Sequence, residues 1–446
     1  MLAADPSEPG ICGAEFASRR QRVLAAIDRG VMILAAGSPR FYSADVEHRF
    51  RPEADFLYLT GFREPRAVLV LRPDAEHPFT LFVRERDARQ EAWTGLRAGP
   101  EGAVERYGAD EAFPLSVLPE KLASLLDGAE RLFYSPWRNA SLDQHVRRAL
   151  TTLRARERLG TVAPAMIIEP GEVLHEMRRV KSAAEISLLE KAAAITSSGH
   201  RAGIARCTPG VREYQIQAAI EAAFRDQGAE GPAFGTIVAA GSNGCVLHYV
   251  TNQAEVRRGQ LVLVDAGAEV AGYNADVTRT FPASGRFTPG QRALYDTVLD
   301  ALQHAIDMVR PGMTLDEIHR ATAQRLTAGL VGLGVLAGAA DELLEKESFK
   351  KYFLHRTSHW LGMDVHDVGR YQQQGAARRL HAGMLLTVEP GLYIPPDDTD
   401  APKELRGQAV RIEDDLLVTD QGARVLTRDV PVDGDEIAAL VGARHP

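Results

Sequence analysis

The chain has 446 residues and a net charge of −8, with 45% apolar and 25% charged residues. That length suggests two domains, and the composition is typical of a soluble globular protein, which excludes a disordered chain. Lysine and arginine are scattered among acidic residues, so the charge pattern also excludes a basic surface for nucleic acid.

The N-terminus and the cysteines predict a compartment. MLAADPSEPG lacks the basic and apolar stretches of a secretory signal. The apolar run 326–340 is short and rich in glycine, which predicts a buried helix end and turn, not a membrane span. Cys12, Cys207 and Cys245 are too widely spaced for a disulfide framework or a thiolate metal motif. We therefore expect a cytoplasmic protein with no membrane or nucleic-acid partner.

The first part of the chain alternates between helical and strand-like patterns. Residues 14–29 have helical spacing, and VMILAAG follows as a buried strand. The short runs ADFLYLTGF, AVLVLRP and FTLFVRER, separated by glycine and proline, indicate further strands. Together with helical patterns up to about residue 160, they predict an α/β domain.

The segment 161–182 is the best candidate for a domain boundary, because it carries two prolines and a glycine. Directly after it, Ser182 and Glu185 have the spacing of a capping box at the start of a long helix. We therefore expect an N-terminal domain over 1–175 and a C-terminal domain over 176–446.

The second half is predicted to be α+β. A second helix ends on Gly228, and two more cover about 289–310, opened by Thr288 and Pro289, and about 314–329. Between the helices lie β-branched runs broken by glycine, asparagine and proline: GTIVAAG, QLVLVDAGAEVAGYNADVTRTFP, MLLTVEPGLYI and QAVRIEDDLLVTD. This order predicts helices that cover a largely antiparallel sheet.

Four carboxylates stand inside these apolar strand sequences, namely Asp265, Asp276, Glu389 and Glu413. A buried carboxylate costs several kcal/mol, roughly, unless it is paired or bound to a metal. One such residue is ordinarily a helix cap or an ion-pair partner, but four of them in one half-chain favour a shared site. Their charge would be balanced by two divalent cations, and oxygen ligands with one imidazole suit Mn²⁺, Co²⁺, Fe²⁺ or Zn²⁺.

The stretch HRTSHWLGMDVHDVG, residues 355–369, carries three histidines. His355 and His359 have the spacing of a zinc-protease helix, but Arg356 stands where that motif needs its glutamate base. The glycines and valines that follow argue against a continuous helix. Each histidine taken singly is equally compatible with a structural role.

Five ordered segments resemble one known family: NGCVLHYVTN, LVLVDAGAEVAGYNADVTRTFP, SHWLGMDVHDVG, LLTVEPGLYI and VRIEDDLLVT. They are similar to the pita-bread metallopeptidases, and within them to the Xaa-Pro aminopeptidase (aminopeptidase P) branch. DFLYLTGFREPRAVLVL extends the resemblance into the N-terminal half. The resemblance implies an α/β N-terminal domain followed by an α+β pita-bread (creatinase/aminopeptidase-like) catalytic domain.

The resemblance implies a metal site of two divalent ions, with Mn²⁺ as the usual metal. Its ligand positions fall on Asp265, Asp276, His359, Glu389 and Glu413. In the family the second and last of these bridge the ions, and a hydroxide activated between the two metals attacks the scissile carbonyl.

The substrate-facing positions follow from the same resemblance. Glu389 is expected to shuttle protons, and His248 and His366 to stabilise the tetrahedral intermediate. His355 and Tyr393 are expected to line the proline pocket. The hydrogen-bonding position of the family falls on Arg411. The expected substrates are peptides with proline in the second position.

Several alternatives stay open at this point. The alternative for Tyr393 is a packing residue, and the alternative for Arg411 is a structural partner of Glu413. Asp45 and Trp93 match positions that reach a neighbouring subunit's active site in oligomeric members, which implies a homo-oligomer, either a dimer or a tetramer. Both residues are as readily explained as a surface aspartate and a packing tryptophan.

The family contains two competing functions. A prolidase shares the fold and the ligands but accepts only Xaa-Pro dipeptides, whereas a non-catalytic binding protein would be expected to lack ligands. This chain departs from many members in having Arg356 in place of glycine and YNAD in place of Y-x-G-D. Neither change touches a ligand position, but Arg356 leaves the substrate preference open.

Overall fold

The computed structural model describes residues 10–443, and they divide between Met177 and Arg178 into two compact units. Within the described residues, no helix combines the length and the apolar character needed to cross a membrane. Each unit contains helices and β-sheet, as the alternating sequence patterns predict.

The first unit is built on a mixed six-stranded sheet in the order β4-β3-β2-β1-β5-β6. Its strands are β1 (Gly30–Ala35), β2 (Val68–Leu71), β3 (Phe79–Val83), β4 (Glu111–Pro114), β5 (Arg131–Phe133) and β6 (Met166–Ile168). β1 pairs antiparallel with β2 and parallel with β5. The central strands are apolar on both faces, and each buried Val, Leu or Ile contributes about 1.5–3 kcal/mol to the stability of the unit.

The helices of this part of the chain are α1 (Gly13–Ile27), α2 (Ala54–Thr60), α3 (Ala88–Thr94), α4 (Gly99–Tyr107), α5 (Leu118–Leu126), α6 (Ala140–Ala155) and α7 (Gly171–Arg179). The strand predicted for ADFLYLTGF is therefore wrong, because that run forms α2. Almost every residue of α2 is buried, so its apolar pattern has no period that separates a helix from a strand. Gly61 ends the helix with a φ of 64°, the left-handed conformation that glycine adopts without strain.

Two of the helices of the second unit, the first and the third along the chain, begin where the capping patterns predict. The helices of this unit are α8 (Ala183–Arg206), α9 (Glu213–Asp226), α10 (Pro289–Met308), α11 (Leu315–Gly332), α12 (Ala340–Glu345) and α13 (Gly434–Leu440). Ser182 caps α8 and Thr288 caps α10, each in a capping box with the residue three positions later. The apolar run at 326–340 forms the end of α11 and the turn after it, as predicted, but the helix end is only partly buried and most of the turn is not buried.

Antiparallel pairs dominate the strands of the second unit, again as predicted. The strands are β7 (Gly231–Pro232), β8 (Ile237–Ala240), β9 (Leu261–Ala266), β10 (Ala268–Val270), β11 (Tyr273–Asn274), β12 (Val277–Pro282), β13 (Gln372–Gln373), β14 (Ala376–Ala377), β15 (Leu385–Val388), β16 (Gly391–Tyr393), β17 (Ala409–Arg411), β18 (Asp414–Thr419) and β19 (Gly422–Val425). They form the sheets β12-β9-β8, β11-β10-β7 and β15-β18-β19 and the pairs β16-β17 and β13-β14. Hydrogen bonds between these sheets hold the candidate ligands together.

Candidate metal centre and active site

Two of the candidate ligands come from one β-hairpin. Asp265 lies in β9, and Asp276 directly precedes β12, the strand that pairs with β9. The register sets Asp265 opposite Thr278, so the two carboxylates stand diagonally across the antiparallel ladder. The strand ends therefore bring both acids to one place, as the length of the intervening segment predicts.

The other two carboxylates lie at the meeting point of β15 and β18. Glu389 directly follows β15, and Glu413 directly precedes β18, which pairs with β15. Glu413 is tied to the first hairpin twice: its amide donates to the carbonyl of Thr278 at 3.0 Å, and its Oε2 accepts from the Thr278 hydroxyl at 2.7 Å. These bonds fix Glu413 beside Asp276.

His359 completes the cluster. The amide of Thr387 in β15 donates to the carbonyl of His359 at 3.0 Å, which anchors the histidine backbone to the sheet. Its Nδ1 lies 3.0 Å from the carbonyl of Trp360, so Nδ1 carries the proton and Nε2 is left as a lone pair. Nε2 lies 3.4 Å from Oδ2 of Asp276 and 3.7 Å from Oε1 of Glu389. This is the tautomer that a metal ligand requires.

Three of these side chains are close enough to share one ion, since the candidate donor atoms of Asp276, His359 and Glu413 all lie within 4.8 Å of one another. Oδ2 of Asp265 accepts from Arg411, while its buried Oδ1 has no hydrogen-bond partner among the described residues. A buried carboxylate oxygen without a partner is costly unless a cation neutralises it. The donor set and this free oxygen fit a divalent cation.

The electrostatics of the cluster point the same way. Burial, then the charges of Asp265, Asp415 and Glu389, raise the pKa of Asp276 well above its usual value. Burial and the neighbouring carboxylates likewise raise the pKa of Glu413. Burial raises the pKa of Glu389 to about 7, although His359 and Arg411 act in the opposite direction. Without a cation the site therefore holds protons that a bound metal would displace.

A hydrogen-bonded chain runs from Asp265 to the candidate proline pocket. Nη2 of Arg411 donates to Asp265 at 2.6 Å, and its Nη1 donates to the hydroxyl of Tyr393 at 2.9 Å. The hydroxyl of Tyr393 lies 2.8 Å from Nε2 of His355. Burial, then the charge of Arg411, lower the pKa of His355 to about 3, so its ring is neutral and accepts from Tyr393. The ion pair of Arg411 is thus made with Asp265.

The five candidate ligands, Arg411 and His355 line a cavity of about 670 Å³, whereas Tyr393 is buried and does not line it. His248 and His366 lie on its wall and have exposed side chains, whereas His355 is half-buried. The rings of His359 and His366 meet edge to face at 4.4 Å between centroids. Residues 355–369 form no helix, which agrees with the rejection of a zinc-protease motif. The three histidines of this stretch therefore reach the cavity from an irregular segment.

Asp45 and Trp93 belong to the first unit. Both side chains are exposed there, and Trp93 is 85% exposed. Their roles stay a prediction.

Sequence reasoning missed two residues that support the cluster. Asp415 is buried in β18, and its Oδ2 accepts from the amide of Asp276 at 3.1 Å. Thr278 binds Glu413 as described above. The run of three acids after Ile412 was a signal for Asp415, because Glu413 and Asp415 share one face of the strand. No sequence signal distinguishes Thr278 from an ordinary strand threonine.

With this geometry established, comparison with known proteins assigns the family. The model of metallopeptidase family M24 matches residues 187–420, and that of the aminopeptidase P N-terminal domain matches residues 16–134. The chain belongs to metallopeptidase family M24. The predicted pita-bread fold and the metallopeptidase class are thereby confirmed.

Full-length relatives narrow the similarity further. The chain is 43% identical to the Xaa-Pro aminopeptidase of Escherichia coli (strain K12), over 96% of this chain and 98% of that protein. It is 33% identical to human Xaa-Pro aminopeptidase 3, over 99% of this chain and 88% of that protein. Among solved structures, the Pseudomonas aeruginosa aminopeptidase PepP matches with a TM-score of 0.95 at 44% identity, covering 97% of this chain and 99% of that one. A zinc-substituted E. coli aminopeptidase P in complex with product matches with a TM-score of 0.94 at 42% identity, covering 97% and 98%.

Proposed function

We propose that the protein is an Xaa-Pro aminopeptidase, which removes the N-terminal residue from peptides with proline in the second position. The observation that carries this proposal is the cluster of Asp276, His359 and Glu413 in a cavity that His248 and His366 also line. Similarity to Xaa-Pro aminopeptidases over both units supports this function over a prolidase. The ligand cluster argues against a non-catalytic binding protein.

We propose that the site holds two divalent ions and that the metal is Mn²⁺. Asp265, Asp276, His359, Glu389 and Glu413 would hold them, and the free Oδ1 of Asp265 and the raised pKa values of its neighbours support this ligand set. When bound, such ions supply Lewis acidity to a carbonyl and lower the pKa of water.

Glu389 is the group that moves the proton. In the metal-free site burial raises its pKa to about 7, and its carboxyl group lies beside the other candidate ligands, where it would be within reach of the attacking water. It would take a proton from the attacking water and deliver it to the proline nitrogen as the peptide bond breaks. Its Oε1 lies 3.7 Å from Nε2 of His359, so the carboxylate borders the cluster of Asp276, His359 and Glu413.

The histidines would contact the substrate, and Tyr393 would support His355 through their hydrogen bond. His248 and His366, on the cavity wall, are available to donate hydrogen bonds to the oxygen that gains charge during attack. The ring of His355 lines the cavity and packs edge to face against the buried ring of Tyr393, with centroids 5.6 Å apart, so His355 would offer a rigid surface for the pyrrolidine ring. A proline peptide bond has no N–H to donate, so shape and ring contact must replace that hydrogen bond.

The experiment compares peptide lengths. Purified protein loaded with Mn²⁺ is offered Xaa-Pro-Yaa tripeptides, longer peptides and Xaa-Pro dipeptides, with the free first residue as the product measured. Cleavage of tripeptides and longer peptides supports the aminopeptidase. Turnover restricted to dipeptides would instead identify a prolidase, and no turnover of either would contradict a catalytic function.

We further propose that residues 1–175 and 176–446 are the two domains, and that the protein is a cytoplasmic homo-oligomer, a dimer or tetramer. The exposed Trp93 and Asp45 would reach a neighbouring subunit's site in that assembly, a proposal that the 85% exposure of Trp93 supports. Light scattering of wild type and Trp93→Ala measures the oligomer. A monomeric wild type would contradict the proposal.

A further inference from the structure

One segment of the second unit connects two site histidines that are held in different ways. We call residues 360–367 the His366 loop. His359, just before it, is anchored to β15: its carbonyl accepts from the amide of Thr387, and its amide donates to the Thr387 hydroxyl at 3.3 Å. Across residues 10–443, by contrast, the structure records no hydrogen bond of His366, whose ring contacts that of His359. The position of His366 therefore depends on its neighbours in the chain.

The residue next to it, Asp367, is one of the most firmly held acids in the unit. Its side chain is 1% exposed, and Oδ1 accepts from Nη2 of Arg178 at 2.5 Å. Oδ2 accepts from Nζ of Lys181 at 3.0 Å. Burial alone would raise the pKa of Asp367, but Lys181 and Arg178 outweigh it, so the pKa lies below its usual value. Asp367 is therefore a fully charged group between two buried cations.

The rest of the loop is fitted around this carboxylate. The amide of Asp367 donates to the carbonyl of Trp360 at 2.8 Å, which closes the base of the loop. A Cβ on Gly362 would overlap Oδ2 of Asp367, so only glycine fits there. Arg178 also binds Asp364 at 2.7 Å, and the side-chain amide of Asn274 donates to the carbonyl of Met363 at 2.8 Å. The loop thus contributes two acids, Asp364 and Asp367, to ion pairs with the two bases Arg178 and Lys181.

Stability alone is a weak explanation for this arrangement. Two charges taken out of water lose hydration that their mutual attraction only roughly repays, so buried ion pairs are poor stabilisers compared with apolar residues of similar volume. What such a cluster supplies is a fixed geometry, because each charge tolerates only one position of its partners. The group whose geometry depends on it is the adjacent His366.

We propose that Asp367, clamped by Arg178 and Lys181, is a positioning residue that sets the orientation of His366 over the metal cluster. This rests on the proposed aminopeptidase function, in which His366 donates to the oxygen that gains charge. Asp367 acts through its neighbour and touches neither substrate nor metal. Disturbing the clamp should therefore lower kcat and leave metal binding intact, since His359 is anchored separately to β15.

Two variants test the clamp by different routes. Asp367→Asn removes the charge, whereas Gly362→Ala displaces the carboxylate without changing any charge. Each should lower kcat for an Xaa-Pro-Yaa peptide at least tenfold with less than a threefold change in KM, and Mn²⁺ affinity should stay within threefold of wild type. Gly332→Ala, whose added Cβ meets nothing within 4 Å, and Asp300→Asn, which removes an exposed ion pair with Arg325, serve as controls.

A double-mutant cycle separates positioning from general damage. In a His366→Ala background, Asp367→Asn and Gly362→Ala should each lower kcat by less than a further twofold, because the residue they act through is gone. A full tenfold loss in that background would overturn the proposal, as would unchanged kcat in the single variants. Melting temperatures identify any variant that fails to fold. If Asp367→Asn fails to fold, Gly362→Ala still tests the clamp, because it removes no charge.

A structural readout keeps the inference separate from the proposed function. Crystal structures of wild type and Gly362→Ala should show the His366 ring displaced by more than about 1 Å while His359 stays in place. An unmoved His366 would refute the clamp even if the enzyme is an aminopeptidase. A displaced His366 in a protein without peptidase activity would support the clamp and refute the proposed function instead.

Discussion

Replacing Asp276 by asparagine tests whether the cluster is built for a cation. The change keeps the shape of the side chain and removes one charge. The candidate donor atoms of Asp276 and Glu413 lie within 4.8 Å of each other. Two like charges at that distance repel by about 3.5 kcal/mol at an effective dielectric constant of about 20. Protonation already relieves part of this repulsion, because the pKa of Asp276 is raised.

The metal-free Asp276→Asn protein should therefore melt at the temperature of metal-free wild type or above it. Each kcal/mol of relieved repulsion raises the melting temperature by roughly 2–4 °C, so the increase should be at most about 10 °C. The amide of residue 276 keeps its bond to Asp415, so the backbone stays in place. Activity should nevertheless fall at least about 100-fold. Mutating a residue that only hydrogen-bonds to a metal ligand typically costs 10–100-fold in activity, and losing a ligand itself should cost more.

Thermal melting with EDTA and with excess Mn²⁺, together with peptidase assays, measures both effects, and Asp300→Asn is the matched control at an exposed ion pair. The reasoning is refuted if the variant gains as much melting temperature from Mn²⁺ as wild type does. A large loss of stability in EDTA would also refute it, because the repulsion would then not be the dominant interaction.

The remaining predictions concern pH, the proline pocket and stability. The pKa of Glu389 is raised from 4.5 to about 7, so its contribution to metal-free stability is present below pH 4.5 and lost as the pH rises to 7. The gain in melting temperature that Mn²⁺ gives should therefore grow between pH 6 and pH 8. A gain that stays constant over this range would contradict the prediction. Tyr393→Phe removes the hydroxyl that links Arg411 to His355, so it should lower kcat/KM on proline peptides about tenfold. It should also cost about 1–3 kcal/mol of stability, because the buried Arg411 loses an acceptor. An unchanged kcat/KM would argue for a packing role only. Glu213→Gln should cost about 2–4 kcal/mol of unfolding free energy, measured by urea denaturation, because the buried carboxylate accepts four hydrogen bonds; a loss below about 1 kcal/mol would contradict that reading.

The helices were predicted well where capping residues mark their ends. Ser182 and Thr288 begin α8 and α10 as expected, because a side-chain cap is a local interaction that the sequence displays directly. The helix α2 was predicted as a strand, since a short run buried on nearly every side leaves no polar face to read. Its one local signal was Gly61, which takes the left-handed conformation at the helix end.

The carboxylates of the candidate site could be predicted from the sequence, but the residues that hold the site in place could not. Asp265, Asp276 and Glu413 stood out because acids are rare in buried strands. The selection of His359 needed the family resemblance, since three histidines within a dozen residues have no distinguishing pattern of their own. The clamp on Asp367 was invisible, because Arg178 and Lys181 are distant in sequence and meet it only in the folded unit.

The most direct test of the central claim is peptidase activity before and after metal removal. Protein stripped with EDTA and then reloaded with Mn²⁺ is assayed on an Xaa-Pro-Yaa tripeptide, with metal content measured on the same samples. We predict less than about 1% of the activity after stripping, recovery on reloading with up to two ions per chain, and release of the free first residue. Full activity in the stripped protein would contradict the account.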